Sequence, residues 1–274
     1  MPNRHFENLR EFEVYATALA QVIAKPVEFK KYASLSTEHF NPREPFLILF
    51  PETPFAPDYF PSRKEAKASA RSLASMLESV HPLSRIAFAL NEGSKYRTKK
   101  TVFHQPVHSN TGYLISAGKY SVRPKIMRAQ GDNSTQTFFA ALKSHYGEQA
   151  QALETYAKQA WNARAIKLGK SKKPFATEAF ESGHNIEHRI CLDWFVKAPH
   201  DKSLITAISA SGLDAENLER LTEARSAVVV NDAGTFGRQI VVHGKTILLN
   251  LGELDHAELD KLLTEKKLKI HLVD

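Results

Sequence analysis

The chain has 274 residues, 42% hydrophobic and 24% charged, which excludes a disordered or low-complexity polymer and leaves room for one large domain or two ordinary ones. Its formal net charge of +7 favours a polyanionic partner over an acidic, solvating role. A single cysteine, Cys191, excludes an internal disulfide and points to a cytoplasmic setting, and the longest apolar runs are far too short to span a bilayer, so no membrane partner is expected.

Apolar residues recur at helical spacing over 5–24, with Phe6, Leu9, Phe12, Ala16, Leu19 and Ile23 on one face before Pro26. Residues 45–50 read as a buried strand. Ser62 with Glu65 three residues on is a capping box, and it opens a helix to about residue 80. A strand over 85–90 completes a β-α-β unit. Residues 101–107 and 113–116 alternate as two further strands, with Asn110-Thr111-Gly112 as the turn between them.

Helical spacing then covers 134–146 and 150–166, and 167–174 is a basic loop rich in breakers. A helix is expected over 176–196, followed by short helices over 203–211 and 217–225. The tail reads as a strand over 227–230, a hairpin of 239–242 with 246–251, a second capping box from Asp255 to Glu258, and a closing strand over 268–273. The fold class expected is α+β: an N-terminal β-α-β-β sheet layer, a helical middle, and a small β-rich C-terminal part (β-β-β-α-β). The divisions fall at 1–130, an α+β domain with a basic aromatic face; 131–225, a helical region; and 226–274, a small β-rich part, with packing as one unit left open.

Charge is distributed unevenly. The window 93–131 holds Lys95, Arg97, Lys99, Lys100, Lys119, Arg123, Lys125 and Arg128 without one Asp or Glu, and Tyr96, Phe103, Tyr113 and Tyr120 lie among them. The acid-free window 155–177 adds Lys158, Arg164, Lys167, Lys170, Lys172 and Lys173, so the remainder of the chain is net negative. Lys and Arg neutralise phosphates and release counterions, and tyrosine faces stack bases at about 1–3 kcal/mol each. The pattern points to nucleic-acid binding, with RNA or single-stranded DNA favoured, by a protein acting alone or as a subunit of a ribonucleoprotein complex. The phosphate contacts are the eight bases of the first window, with Lys167, Lys170, Lys172 and Lys173 as a second strip. Tyr96, Tyr113 and Tyr120 are the stacking residues.

Two histidine pairs offer chemistry. His104 and His108, four apart on a strand, share a face and could act as general base and general acid in metal-independent RNA cleavage, with Lys99 or Lys100 stabilising the developing charge. His184-Asn-Ile-Glu-His188 has the inverted zinc-peptidase spacing. On a helix His184 and His188 would bind Zn²⁺ and Glu187 would activate its water, with Glu253 or Glu258 as a third ligand. The bland reading of that string is an amphipathic helix, and no cofactor is the default expectation. Arg238 and His243 have a spacing seen in some RNase toxins but sit on a strand pattern. Cys191, beside Trp194 on the expected helix, reads as an inert core residue.

Overall fold

The computed structural model describes residues 6–24, 46–52, 54–56, 59–97, 102–127, 133–170, 175–179, 185–195, 204–210, 227–233 and 237–242. In chain order the elements are α1 (Leu9–Ala24), β1 (Leu47–Leu49), α2 (Arg63–Val80), β2 (Arg85–Arg97), β3 (Val102–Ser116), β4 (Lys119–Pro124), α3 (Asn133–Tyr146), α4 (Ala150–Gly169), β5 (Ala176–Ala179), β6 (Asn185–Ile190), β7 (Leu204–Ala210), β8 (Ala227–Ala233) and β9 (Gly237–Val242). A short 3-10 turn, Cys191–Phe195, follows β6 directly.

The strands form two mixed sheets, ordered β1-β2-β3-β4 and β5-β6-β7-β8-β9. In the first, β1 and β2 are parallel and the other pairs antiparallel. In the second, β6, β7 and β8 are parallel neighbours flanked by antiparallel β5 and β9. A mixture of helices with mixed sheets agrees with the α+β class; β1, α2, β2 and β3 stand in β-α-β-β order, and β4 adds a strand that the sequence did not suggest.

Period-two alternation explains how the layers meet. Along β2, Ile86, Phe88 and Leu90 join the cluster built by α1 and α2, whose other members include Phe6, Phe12, Leu73 and Leu77. Ala87 and Ala89 point the other way, to the second sheet. The same split holds on β3: Tyr113 and Ile115 face the helices, while Gly112 and Leu114 face β6. The inner surfaces are therefore small, with Ala87, Ala89, Ala176 and Ala207 in contact layers beside Ile186 and Ile190. A Cβ on Gly112 would lie 3.0 Å from His188 Nδ1 and 3.1 Å from Ile190 Cδ1, so a side chain-free residue sets how closely the sheets approach.

Local signals hold at α2. Ser62 Oγ accepts from the Glu65 N–H, and the Glu65 carboxylate accepts from the Ser62 N–H, closing the box. These bonds hold the Glu65 carboxyl below its usual range, and losing such a cap costs about 1 kcal/mol. Gly118, at φ +68, makes the β3–β4 turn and donates its N–H to Ala74 O.

Three expectations are corrected. Asn110-Thr111-Gly112 is no turn: all three lie inside a single β3 and pair with Asn91, Leu90 and Ala89 of β2. Pro106 is tolerated in that long strand because β4 pairs only with 111–116, which leaves an edge at Pro106. The helix expected over 176–196 is instead β5, β6 and the 3-10 turn, and the one expected over 203–211 is β7. Ile186, His188 and Ile190 alternate at period two, a pattern the helical reading of this stretch passed over. In the tail, β9 pairs with β8 in the second sheet. The helix expected over 217–225 and the elements expected beyond residue 242 lie outside the described residues.

Candidate active site

Several strands end at one edge of the sandwich, and the chain leaving each carries a reactive or polar group. Chain leaving β1 runs through Phe50, whose N–H bonds to Ala87 O, to Glu52, whose N–H bonds to Ala210 O at the end of β7. Ser209 Oγ donates to Phe50 O at 2.6 Å, fastening the same two segments. Chain leaving β4 reaches Lys125, whose N–H bonds to Asn110 O. Chain leaving β6 is Cys191. Carboxyl ends of parallel strands are where α/β sheets ordinarily place their ligands.

Glu52 and Lys125 form a buried ion pair. Lys125 Nζ lies 2.5 Å from Glu52 Oε1, with side-chain exposures of 0% and 4%. Asn110 Nδ2 donates to the same oxygen at 2.7 Å. Asn110 thus holds both partners, Glu52 with its side chain and Lys125 with its main-chain carbonyl. Taking two charges out of water costs several kcal/mol per ion, so such a pair is weak evidence for stability.

Cys191 is the one described non-glycine residue with positive φ, at 44°. That conformation is strained for a side chain-bearing residue, and such strain concentrates where a group must be aimed. The bend takes the chain sharply from β6 into the 3-10 turn. The thiol is buried, is in no disulfide, and shares a cluster with Ala89, Ile190, Ile208 and Ala210. Ala210 is also the residue whose carbonyl receives the Glu52 N–H, which brings Cys191 and Glu52 to one corner.

Asp193 locks this turn to the lysine segment. Its Oδ1 accepts the N–H groups of Ile126 at 2.8 Å and Met127 at 2.7 Å, the two residues after Lys125. Burial pushes its carboxyl up to about 7, against the opposing pull of the Met127 and Ile126 N–H bonds and the Lys125 charge. From below, Arg189 lies over the Phe175 ring at 4.1 Å, pairs with Glu187 at 2.5 Å and donates to Asp193 O at 3.3 Å. Burial lowers the arginine below its usual range, against the opposing pull of the Glu187 charge and hydrogen bond.

Two polar groups lie deeper between the layers. Ser209 Oγ donates to Phe50 O, so it accepts from His188 Nε2 at 2.9 Å, which fixes the neutral Nε2–H tautomer. His188 Nδ1 has no hydrogen-bond partner among the described residues, and burial pushes the ring down to about 3. On the helix side of the first sheet, Glu92 accepts from Tyr113 Oη and from Thr111 Oγ1, and Arg63 Nε approaches to 4.0 Å. Burial, then the Glu92 charge, raises the Tyr113 phenol well above its usual value.

The structure redistributes the residues singled out in the sequence. Tyr113 cannot stack a base: it is fully buried, parallel to Phe88 at 5.1 Å and bonded to Glu92. Tyr120 packs partly buried against the same core. Lys125 is turned inward onto Glu52. Lys119 is exposed and Arg123 partly so, at the far and near ends of β4, while Lys167 and Lys170 are exposed at the end of α4. Lys95, Tyr96 and Arg97 lie in β2, and His104 and His108 in β3; their side chains, together with Lys99, Lys100, Arg128, Lys172 and Lys173, lie outside the described residues.

The helix on which the zinc reading was placed is instead a strand, β6. His188 is on a strand, where Glu187 and His188 face opposite ways, and each is committed to another partner. His184 lies outside the described residues. Among the described residues no group of three or more His, Cys, Asp or Glu could hold a metal ion. No described helix is long and apolar enough to cross a membrane.

Glu52, Asn110 and Asp193 were not singled out in the sequence, and Cys191 was read there as an inert core residue. The signals were local: one acid in the proline-flanked exit of a strand, and the only cysteine directly after three alternating apolar or aromatic positions.

No protein-family model matches the chain, and no curated protein matches it. Solved structures do align. One is the Nesterenkonia AN1 amidase from the nitrilase superfamily, in a cysteine-to-alanine variant, at 13% identity over 88% of this chain and 77% of that one, with a TM-score of 0.42. Another is the carbon–nitrogen hydrolase from Helicobacter pylori G27, at 10% identity over 86% of this chain and 77% of that one, with a TM-score of 0.37. The expectation of a nucleic-acid-binding or ribonucleoprotein protein, with its nuclease variant, is corrected: Tyr113 is buried and bonded to Glu92, and Lys125 is turned inward onto Glu52, so a stacking face and a phosphate contact it rested on are committed to the interior.

Proposed function

We propose that this chain is a thiol-dependent hydrolase of carbon–nitrogen bonds in which Cys191 is the nucleophile, Glu52 moves the proton and Lys125 supplies positive charge beside it. One observation carries the reading: a buried Glu52–Lys125 ion pair lies at the same strand ends as a cysteine bent to φ 44°. A thiol, a carboxylate and an ammonium are the three roles acyl transfer asks for, and nothing in packing alone requires them together.

The chemistry follows from the residues. The Cys191 thiol gives its proton to the Glu52 carboxylate as sulfur attacks the amide carbon. The carbonyl oxygen takes the electron pair and becomes an oxyanion, which the Lys125 ammonium stabilises in a water-poor site. Glu52 passes the proton to the departing nitrogen, the C–N bond breaks, and a thioester on Cys191 remains. Water, deprotonated by Glu52, then attacks the thioester; acid leaves and the thiol is restored. Asn110 and Lys125 hold Glu52, and Asp193 holds the Cys191 turn against the lysine segment, so the groups are oriented before substrate enters.

Release of ammonia from a panel of short carboxamides tests the reading. C191A and E52Q are each expected to lose at least a thousandfold in kcat/KM while remaining folded. Amidase activity undiminished in C191A would overturn it.

A further inference from the structure

The corner that holds Glu52 also holds two amide oxygens with nothing to accept. Asn91 Oδ1 and Asn110 Oδ1 are buried and have no hydrogen-bond partner among the described residues. Asn91 and Asn110 are direct partners across β2 and β3, so their side chains lie on the same face of the sheet, about 5 Å apart at Cβ. That face is the inner one. Gly112, two residues from Asn110, meets His188 and Ile190; Leu114, two further on, shares a cluster with Ile186. Going from Leu114 to Gly112 to Asn110 on β3 therefore matches going from Ile186 to Ile190 on β6, and Cys191 is the first residue of the turn that leaves β6 there. Cys191 shares a cluster with Ala89, the partner of Gly112, so the asparagine pair is the next pair along the same face.

The orientation of Asn110 is fixed chemically. Glu52 Oε1 accepts, so the nearer atom of Asn110 must be its NH₂ group and the orphan is its carbonyl oxygen. A buried acceptor without a donor costs about 1–3 kcal/mol, and two of them on one sheet face, one on the amide that donates to Glu52, offer acceptors to a donor-rich group. On the reading of the site given above, the departing nitrogen is the group that arrives there.

We infer that Asn91 and Asn110 bind the nitrogen of the scissile amide and select unsubstituted carboxamides, whose NH₂ carries one N–H for each oxygen. An N-alkyl amide leaves one oxygen unpaired and brings a methyl group against it. The product of the first half-reaction is then ammonia, and the same pair holds ammonia in the reverse, thioester-aminolysis direction.

The test uses p-nitrophenyl acetate, which acylates thiols without needing a nitrogen site, and follows p-nitrophenol release together with partition of the acyl-enzyme among water, ammonia and dimethylamine at equal free-base concentrations. Absence of Cys191-dependent p-nitrophenol release, judged against C191A, overturns the reading of the site and this inference with it. With Cys191-dependent release, capture by ammonia at least tenfold above dimethylamine in the native chain, falling to within about threefold in N91L, supports the inference. Asn91→Leu keeps the volume and removes the acceptor, and N91A is the second variant should N91L fail to fold. Cys191-dependent release with no preference for ammonia, or with a preference that both variants retain, overturns the inference and leaves the hydrolase reading standing.

Discussion

Replacing Glu52 and Lys125 singly and together separates what their ion pair does for function from what it does for folding. At 2.5 Å and an effective dielectric of about 20 the attraction is roughly 6–7 kcal/mol, while burying the two charges costs several kcal/mol each. The net contribution of the pair is therefore near zero, but either charge alone in that corner loses its nearest opposite charge. E52Q takes from the buried ammonium the carboxylate 2.5 Å away, and K125M takes from the buried carboxylate its ammonium while Asn110 still donates to it. Each single change should cost about 3–5 kcal/mol, which for a chain of this size lowers Tm by roughly 6–20 °C. The double change E52Q/K125M should cost no more than about 2 kcal/mol, because a neutral amide facing a thioether has no stranded charge. Urea denaturation of all four proteins gives the cycle, with m-values checked for constancy. Double-variant stability equal to the sum of the single losses would refute the reasoning, since the charges would then be acting independently. A double variant that is stable yet inactive is the outcome expected if the pair is retained for chemistry.

Further outcomes follow from the packing and the titrating groups. Gly112→Ala places a Cβ at 3.0–3.1 Å from His188 and Ile190 and should cost about 1–3 kcal/mol in thermal unfolding, with a larger fractional loss of activity than of stability because Ile190 leads into Cys191. Asp193, raised to about 7, holds its proton in the folded chain across a range where the unfolded chain has lost it, so its contribution to stability falls as pH rises from about 4 to 7 and is flat above. At about 1.4 kcal/mol per pKa unit the loss is at most about 4 kcal/mol. Asp193→Asn keeps an acceptor for Ile126 and Met127 and should flatten that part of the stability profile; an unchanged profile would mean the carboxyl does not titrate there.

Much of the first sheet was legible because its signals are local. The capping box at Ser62 and Glu65, the β-α-β spacing and the stripe over α1 each depend on neighbours in sequence. The second sheet was misread because β5, β6 and β7 are short and buried, and apolar stretches of that length fit either period. The corner itself combines residues 52, 110, 125, 191 and 193, which no local pattern joins. Lys125 illustrates the difficulty: in the sequence it is one of eight bases in an acid-free window, and only the fold turns it toward an acid 73 positions earlier. Tyr113 was misassigned for the same reason, since an aromatic residue in a basic stretch reads as exposed until its strand is given a face.

The central claim, that Cys191 is an activated nucleophile, is tested most directly by its rate of alkylation with iodoacetamide across pH, read by whole-protein mass. The chain has one cysteine, so every adduct reports on that thiol. The account predicts a single stoichiometric adduct, formed at pH 6 faster in the folded chain than in urea, and formed markedly more slowly in folded E52Q. A thiol that reacts only after unfolding, at a rate indifferent to Glu52, would contradict it.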